Sequence, residues 1–175
     1  MKRPLVYYGN PTLRRKSEPV KEITPDIHQL VQDLIETTKE HDGAGMAAVQ
    51  IGALHRVFIL CRYIHHDDGR WTMTAPYVYI NPRIVEYSKE TLIDTEGCLS
   101  LPNMRAKVER PEKIRVIWTD LEGKTQEEEF EGYNARSILH ENDHLNGVLY
   151  IDRVDEKTRR ILEPDLRAMK KKYNP

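Results

Sequence analysis

The chain has little cysteine: two in 175 residues, Cys61 and Cys98. That excludes a disulfide-built secreted scaffold and makes a reducing, cytoplasmic setting the expectation. It has no excess of one charge, with 27 basic against 28 acidic residues, so no strong field is available to hold nucleic acid or an anionic membrane. It has no long apolar run either. The longest, Val57 to Cys61, falls far short of a bilayer span. "MKRPLVYYGN" at the N-terminus is basic but lacks the apolar stretch of a signal peptide. No repeat, low-complexity tract or linker divides the chain. These absences leave one domain over residues 1–175, long enough to bury a core, with no membrane contact and no sequence-specific nucleic-acid binding expected.

What is present reads as an α+β fold. Thr24 and Pro25 suit a helix N-cap and first position, and Ile27, Leu30, Val31, Leu34 and Ile35 follow at helical spacing, with Gly43 as a stop. Strands are expected at Val57–Leu60, Val78–Ile80 and Ile84–Tyr87. "KIRVIWTD", the turn "LEGK" and the charged "TQEEEFEG" make a hairpin with one wet face. Asn134 is placed to cap a later helix and Gly147 to end it. The tail from Asp155 is helical in pattern, with Pro164 dividing it into two pieces. "HHDDGRW", residues 65–71, reads as a solvated loop; its paired histidines lack a rigid scaffold for metal. The expected architecture is thus mixed or antiparallel strands around one central helix, with an N-terminal helix and a helical tail.

That central helix carries "ILHENDHLNG", residues 138–147. His140 and His144 stand four apart, on one face of a helix, with Glu141 beside the first, the arrangement that grips a metal and supplies a base. Ile138, Leu139 and Leu145 make the helix partly apolar, so the histidine face should be buried or lie at a cleft floor, where imidazoles need partners. Two helical histidines can also be satisfied core residues. A hydrolytic metal keeps three protein ligands and one open position. All seven histidines lie at or before position 144, so none is available downstream as the third ligand. Glu163, just before Pro164, is one candidate. Cys98 in "EGCLSLP" is another, a strong thiolate ligand or simply a small buried hydrophobe. Spacing alone leaves both open.

"GAGMAAVQIG", residues 43–52, adds a third stretch. Taken in order with "EGCLS" and "HENDH", it resembles the peptide deformylase family, whose pattern is GxGxAAxQ, EGCLS and a HExDH helix. The resemblance runs from "YYGNPTLR" to about Asp152. It implies that Cys98, His140 and His144 bind one divalent metal with a water in the fourth position, and that Glu141 is the general acid/base. It further implies that Gln50 and the backbone N–H of Leu99 stabilise the oxyanion. Gly43 and Gly45, with Gly97, would let substrate backbone approach. The implied substrate is the N-formyl group on the initiator methionine of a nascent polypeptide, leaving formate and a free N-terminus. Asp143 is expected either to orient a ligating imidazole or to face solvent.

The chain departs from the family pattern in places. Leu139 stands where many members carry glutamine, Met46 replaces a commoner leucine, and "RYIHHDDGRWTMTAPY" is longer than the strand connection of compact members. Cysteine plus two histidines suits zinc by geometry and affinity. The resemblance instead implies ferrous iron in the cell, with zinc, nickel or cobalt able to substitute. It also raises ribosome association, for which the short basic run Lys170–Lys172 is the candidate contact, a solvated helix end being the alternative. Two competing readings remain: a zinc peptidase using His140, His144 and Glu163, and a closed structural zinc site, for which Cys61 is the only other cysteine.

Overall fold

The computed structural model describes residues 3–175. Its centre is an antiparallel five-stranded sheet in the order β1-β2-β5-β8-β9: Gly45–Ala47, Val57–Leu60, Tyr77–Tyr87, Lys113–Thr119 and Thr125–Glu131. β2 has the expected bounds, and its fully buried run reflects a strand covered on both faces. The hairpin of β8 and β9 is in the expected register, Lys113 opposite Glu131 and Thr119 opposite Thr125. The two short strands expected within 78–87 are one strand, β5, with irregular register between Ile80 and Arg83. Asn81 there takes a positive φ of 50°, and its amide bonds both backbone groups of Val20. The kink is held by a side chain, so the strand bends instead of ending.

Two further hairpins complete the β structure: β3 (Tyr63–His65) with β4 (Trp71–Met73), and β6 (Thr91–Cys98) with β7 (Leu101–Pro111). The expected loop over 65–71 is therefore the tip and flanks of a hairpin. β7 alternates buried Met104, Ala106, Val108 and Arg110 with exposed neighbours. A buried arginine in the apolar register conceals this period-2 pattern from a reading by hydropathy.

The helix α1 (Pro25–Glu40) begins after Thr24 as expected, though the threonine side chain makes no cap bond. It ends at a left-handed Asp42 (φ 53°), with Gly43 donating to Thr38 and Asp42 to Lys39, so aspartate and not Gly43 makes the stop. The helix α2 (Gly132–Leu145) starts two residues before Asn134, which does not cap it. Instead the Asn134 amide bonds the N–H and C=O of Tyr63, at 2.9 and 3.0 Å. Gly147 ends α2 as expected. At φ 71° it donates to His144 while Val148 donates to Asp143, the paired bonds of a Schellman stop.

α3 (Glu156–Tyr173) runs unbroken through Pro164. A mid-helix proline costs about 3 kcal/mol. Asp155 caps the start by accepting from Thr158, and Leu166 and Met169 are buried against the β7 face. Burying two large apolar side chains gains about 1.5–3 kcal/mol each, enough to offset the lost bond.

One face of the five-stranded sheet packs on α2 through Phe58, Val116, Ile138 and Leu145. The other packs on α1 through Ile59, Val57, Leu30 and Leu34. The hairpin β6–β7 rests on α3. The N- and C-terminal segments meet: Tyr7 stacks on Tyr173 with ring centroids 4.1 Å apart, and Asn174 donates to the Tyr8 carbonyl at 2.8 Å. Among the described residues no helix is long and apolar enough to cross a membrane.

Candidate metal centre

Cys98 is the last residue of β6, at a register break that pairs it with Leu101 after Gly97 has paired with Arg105. The tight connection turns its sulfur toward α2, where His140 and His144 sit one turn apart. Among the described residues these three form the one group able to hold a metal, their donor atoms all within 4.8 Å of one another. Cys98 Sγ lies 3.4 Å from His144 Nε2. Tetrahedral coordination by sulfur and nitrogen requires a donor separation of about 3.5 Å. A thiol and two imidazoles so placed fit a borderline-soft divalent ion.

The imidazoles are set differently. His140 Nδ1 bonds Glu96 Oε1 at 2.9 Å, which turns Nε2 toward the sulfur. Burial would lower the His140 pKa, but Cys98 and Glu96 outweigh it and raise it well above its ordinary value. His144 is fully buried, its Nδ1 has no partner, and desolvation holds it well below the ordinary value. A neutral imidazole is the form that binds metal.

Asp143, expected to orient an imidazole or face solvent, does neither. It is buried and accepts from Arg110 at 2.7 Å and from both Nε and Nη2 of Arg153, at 2.6 and 2.8 Å. The orienting carboxylate is Glu96. Arg110 also donates twice to Glu96, at 2.8 Å each, and Arg136 donates at 2.7 Å. Burial alone would raise the Glu96 pKa, but Arg110 and His140 pull it far below the carboxylate range. Glu96 stands in the quoted "EGCLS", yet Arg110 and Arg136 carry no sequence signal. A lone arginine in a charged chain gives no hint that it is buried.

Gln50 is buried, with its orientation fixed from both ends. Its Oε1 accepts from the Ala47 N–H at 2.9 Å, and Nε2 faces Ser100 Oγ at 3.1 Å and Cys98 Sγ at 3.6 Å. A donor is thus aimed at the metal group before any ligand arrives. Glu141 is also buried, and its Oε2 has no hydrogen-bond partner. Desolvation raises its pKa to about 7, His140 opposing and Glu96 adding to the rise.

Gly43, Gly45, Gly97, Leu99, Gln50, Cys98, His140 and Glu141 all line one cleft of about 920 Å³, while His144 lies behind it. The glycine at 45 answers first to the protein's own crowding. A Cβ there would come within 2.6 Å of Leu60 Cδ1, 3.0 Å of the Ile59 carbonyl oxygen and 3.2 Å of Glu141 Oε1. Glu163 is not part of the group; it pairs with Arg159 and Arg167 on α3. Cys61 lies just after β2, half-buried, its N–H bonded to Ala44. Neither competing reading finds its extra ligand among the described residues.

Comparison with known proteins finds relatives in both sequence and fold. A peptide deformylase of Bradyrhizobium sp. strain BTAi1 is 42% identical over 97% of both chains. The crystal structure of peptide deformylase from Thermus thermophilus superposes with a TM-score of 0.86 at 37% identity, covering 99% of this chain and 98% of that one. That from Thermotoga maritima gives 0.79 at 38% identity, covering 89% and 99%. The polypeptide deformylase family model matches residues 2–160, and the chain belongs to that family.

Proposed function

We propose that this chain, acting as one catalytic domain, hydrolyses the formamide at the N-terminus of formylmethionyl nascent polypeptides, releasing formate and a free amine. The observation that carries the reading is one cleft lined by Cys98 and His140, with His144 behind them, by the pre-aimed Gln50 amide and by Glu141, whose Oε2 has no partner. Cys98, His140 and His144 would hold one divalent ion, ferrous iron in the cell, with zinc, nickel or cobalt as substitutes. When bound, such an ion makes a water acidic enough to attack near neutral pH and polarises the formyl oxygen.

The residues do the remaining work. Glu141, buried on the cleft beside the ligand group, takes the proton of the attacking water and passes it to the leaving amine, which departs poorly unprotonated. Gln50 Nε2 and the Leu99 backbone N–H donate to the oxyanion; one such donor is worth about 2.7–4 kcal/mol. β1 is an edge strand, and Gly45, its residue on the cleft, can offer backbone groups to an extended peptide, the Ala47 N–H being taken by Gln50. Glu96, locked by Arg110 and Arg136, keeps His140 turned toward the site.

The test is protein purified without oxygen and supplied with iron, given formyl-Met peptides beside their acetyl-Met and free Met counterparts. Formate release confined to the formyl peptides supports the reading. Cleavage of internal peptide bonds, or retention of metal and activity by Cys98→Ala, overturns it in favour of a peptidase.

A further inference from the structure

The hairpin of β3 and β4 has no part in the chemistry above, yet below its polar tip its paired strands carry exposed apolar side chains. Its base is fastened to the metal-bearing helix by the two Asn134–Tyr63 bonds and by Tyr63 packing edge-on against Tyr133, centroids 4.8 Å apart. Thr74 and Arg62 close the base through two more bonds. Cross-strand pairing sets Tyr63 opposite Met73 and His65 opposite Trp71. Alternation along a strand puts these four on one face, with Ile64 and Thr72 on the other.

Tyr63 and Met73 line the cleft. Trp71 and His65 continue the same face outward, about 7 Å further at the rise of a strand, with the indole tilted over the imidazole at 4.7 Å. Trp71 is 61% and Met73 54% exposed. Large apolar side chains held rigidly in water at the mouth of a cleft mark a ligand surface. The cleft is larger than a formylmethionyl group fills, so the rest of an extended peptide must leave it across some wall, and this one is continuous with it.

We propose that the Met73–Trp71 face is a specificity surface that takes an aromatic or long apolar side chain from the residues following formylmethionine. The inference rests on the deformylase reading. Its chemistry is that of aromatic and methionine packing, a contact worth about 5- to 10-fold in rate ratio for one ring.

The experiment measures kcat/KM of the metal-loaded enzyme on formyl-Met-Ala-Ala-Ala and on the same peptide with Phe placed in turn at the second, third and fourth positions. The expected result is a preference of about 5- to 10-fold for Phe at one or more of these positions. In Trp71→Ala and Met73→Ala the Phe/Ala ratio should fall toward one. Trp71→Phe should retain most of it, and Ile64→Ala, on the reverse face, should leave it unchanged. Circular dichroism and metal content check that each variant is folded and loaded. A wild-type enzyme that deformylates all four peptides equally overturns the proposal and leaves the deformylase reading standing. So does a ratio that Trp71→Ala and Met73→Ala do not change, or that Ile64→Ala lowers as much as they do. No formate from any peptide overturns the deformylase reading and this inference with it.

Discussion

Replacing Glu141 by glutamine should both lower turnover and remove a pH dependence of folding. The carboxyl is buried, one oxygen has no partner, and its pKa rises from the ordinary 4.5 to about 7. A raised carboxyl holds its proton more tightly folded than unfolded. Below pH 4.5 both states are protonated and nothing is lost. Between 4.5 and about 7 the metal-free fold loses stability as pH rises, and above that the loss is complete. At roughly 1.4 kcal/mol per pH unit this comes to about 3 kcal/mol. A glutamine amide cannot ionise, so the variant lacks this fall whatever its absolute stability. The assay is urea unfolding of the chelator-treated, reduced proteins from about pH 5 to 8.5, a span that brackets the folded-state titration. Stability of the variant minus that of the wild type should grow by about 2–3 kcal/mol across the range. With metal bound the difference should flatten, because a nearby cation favours the ionised carboxylate. Turnover of the metal-loaded variant should fall about 100-fold or more with metal retained, as expected for loss of the proton carrier. A stability difference that does not change with pH would refute the reasoning, as would near-normal turnover at full occupancy.

Glu96→Gln leaves the buried Arg110 and Arg136 without their full charge partner and should cost about 3–5 kcal/mol. The wild-type contribution is fully present above the unfolded carboxylate value and is lost progressively as pH falls below it, the last of it only in strong acid, since Glu96 is held low. The same variant should bind metal about 10–100-fold more weakly in a competition titration. Gly45→Ala, pressed against Ile59, Leu60 and Glu141, should cost about 1–3 kcal/mol in urea unfolding and lower kcat by displacing the carboxylate. Gln50→Ala should reduce kcat about 100-fold while KM changes little, because its donor serves charge that forms in the transition state. Air should inactivate the iron-loaded enzyme in step with oxidation of Cys98, seen by mass spectrometry, while the zinc form survives.

The sequence showed most where local chemistry decides structure. β2, the β8–β9 hairpin, the start of α1 and the end of α2 lie where hydrophobic period and turn residues put them. The candidate ligands were legible because spacing on one helix fixes two of them. The misses share a cause: a tertiary partner changed the outcome of a local rule. Asn134 reads as a cap, but its amide is taken by Tyr63. Pro164 reads as a break, but the burial of Leu166 and Met169 holds the helix. β7 was missed because Arg110 occupies an inward position that only Glu96 and Asp143 make tolerable. For the same reason the sequence offers Asp143 only the choice of orienting an imidazole or facing solvent, whereas it pairs with Arg110 and Arg153 and the orienting carboxylate is Glu96.

The stacking of Tyr7 on Tyr173 bears on the order in which the protein is made. Tyr7 lines the cleft and is synthesised long before the residues that hold it. The ring that stacks on it belongs to Tyr173, and the amide that pins the neighbouring Tyr8 carbonyl to Asn174, 166 residues later. During synthesis from the N-terminus the histidine helix and the Cys98 hairpin can form while this part of the wall still lacks its support. An enzyme proposed to act on emerging chains thus completes its own cleft only after the whole of α3 has emerged.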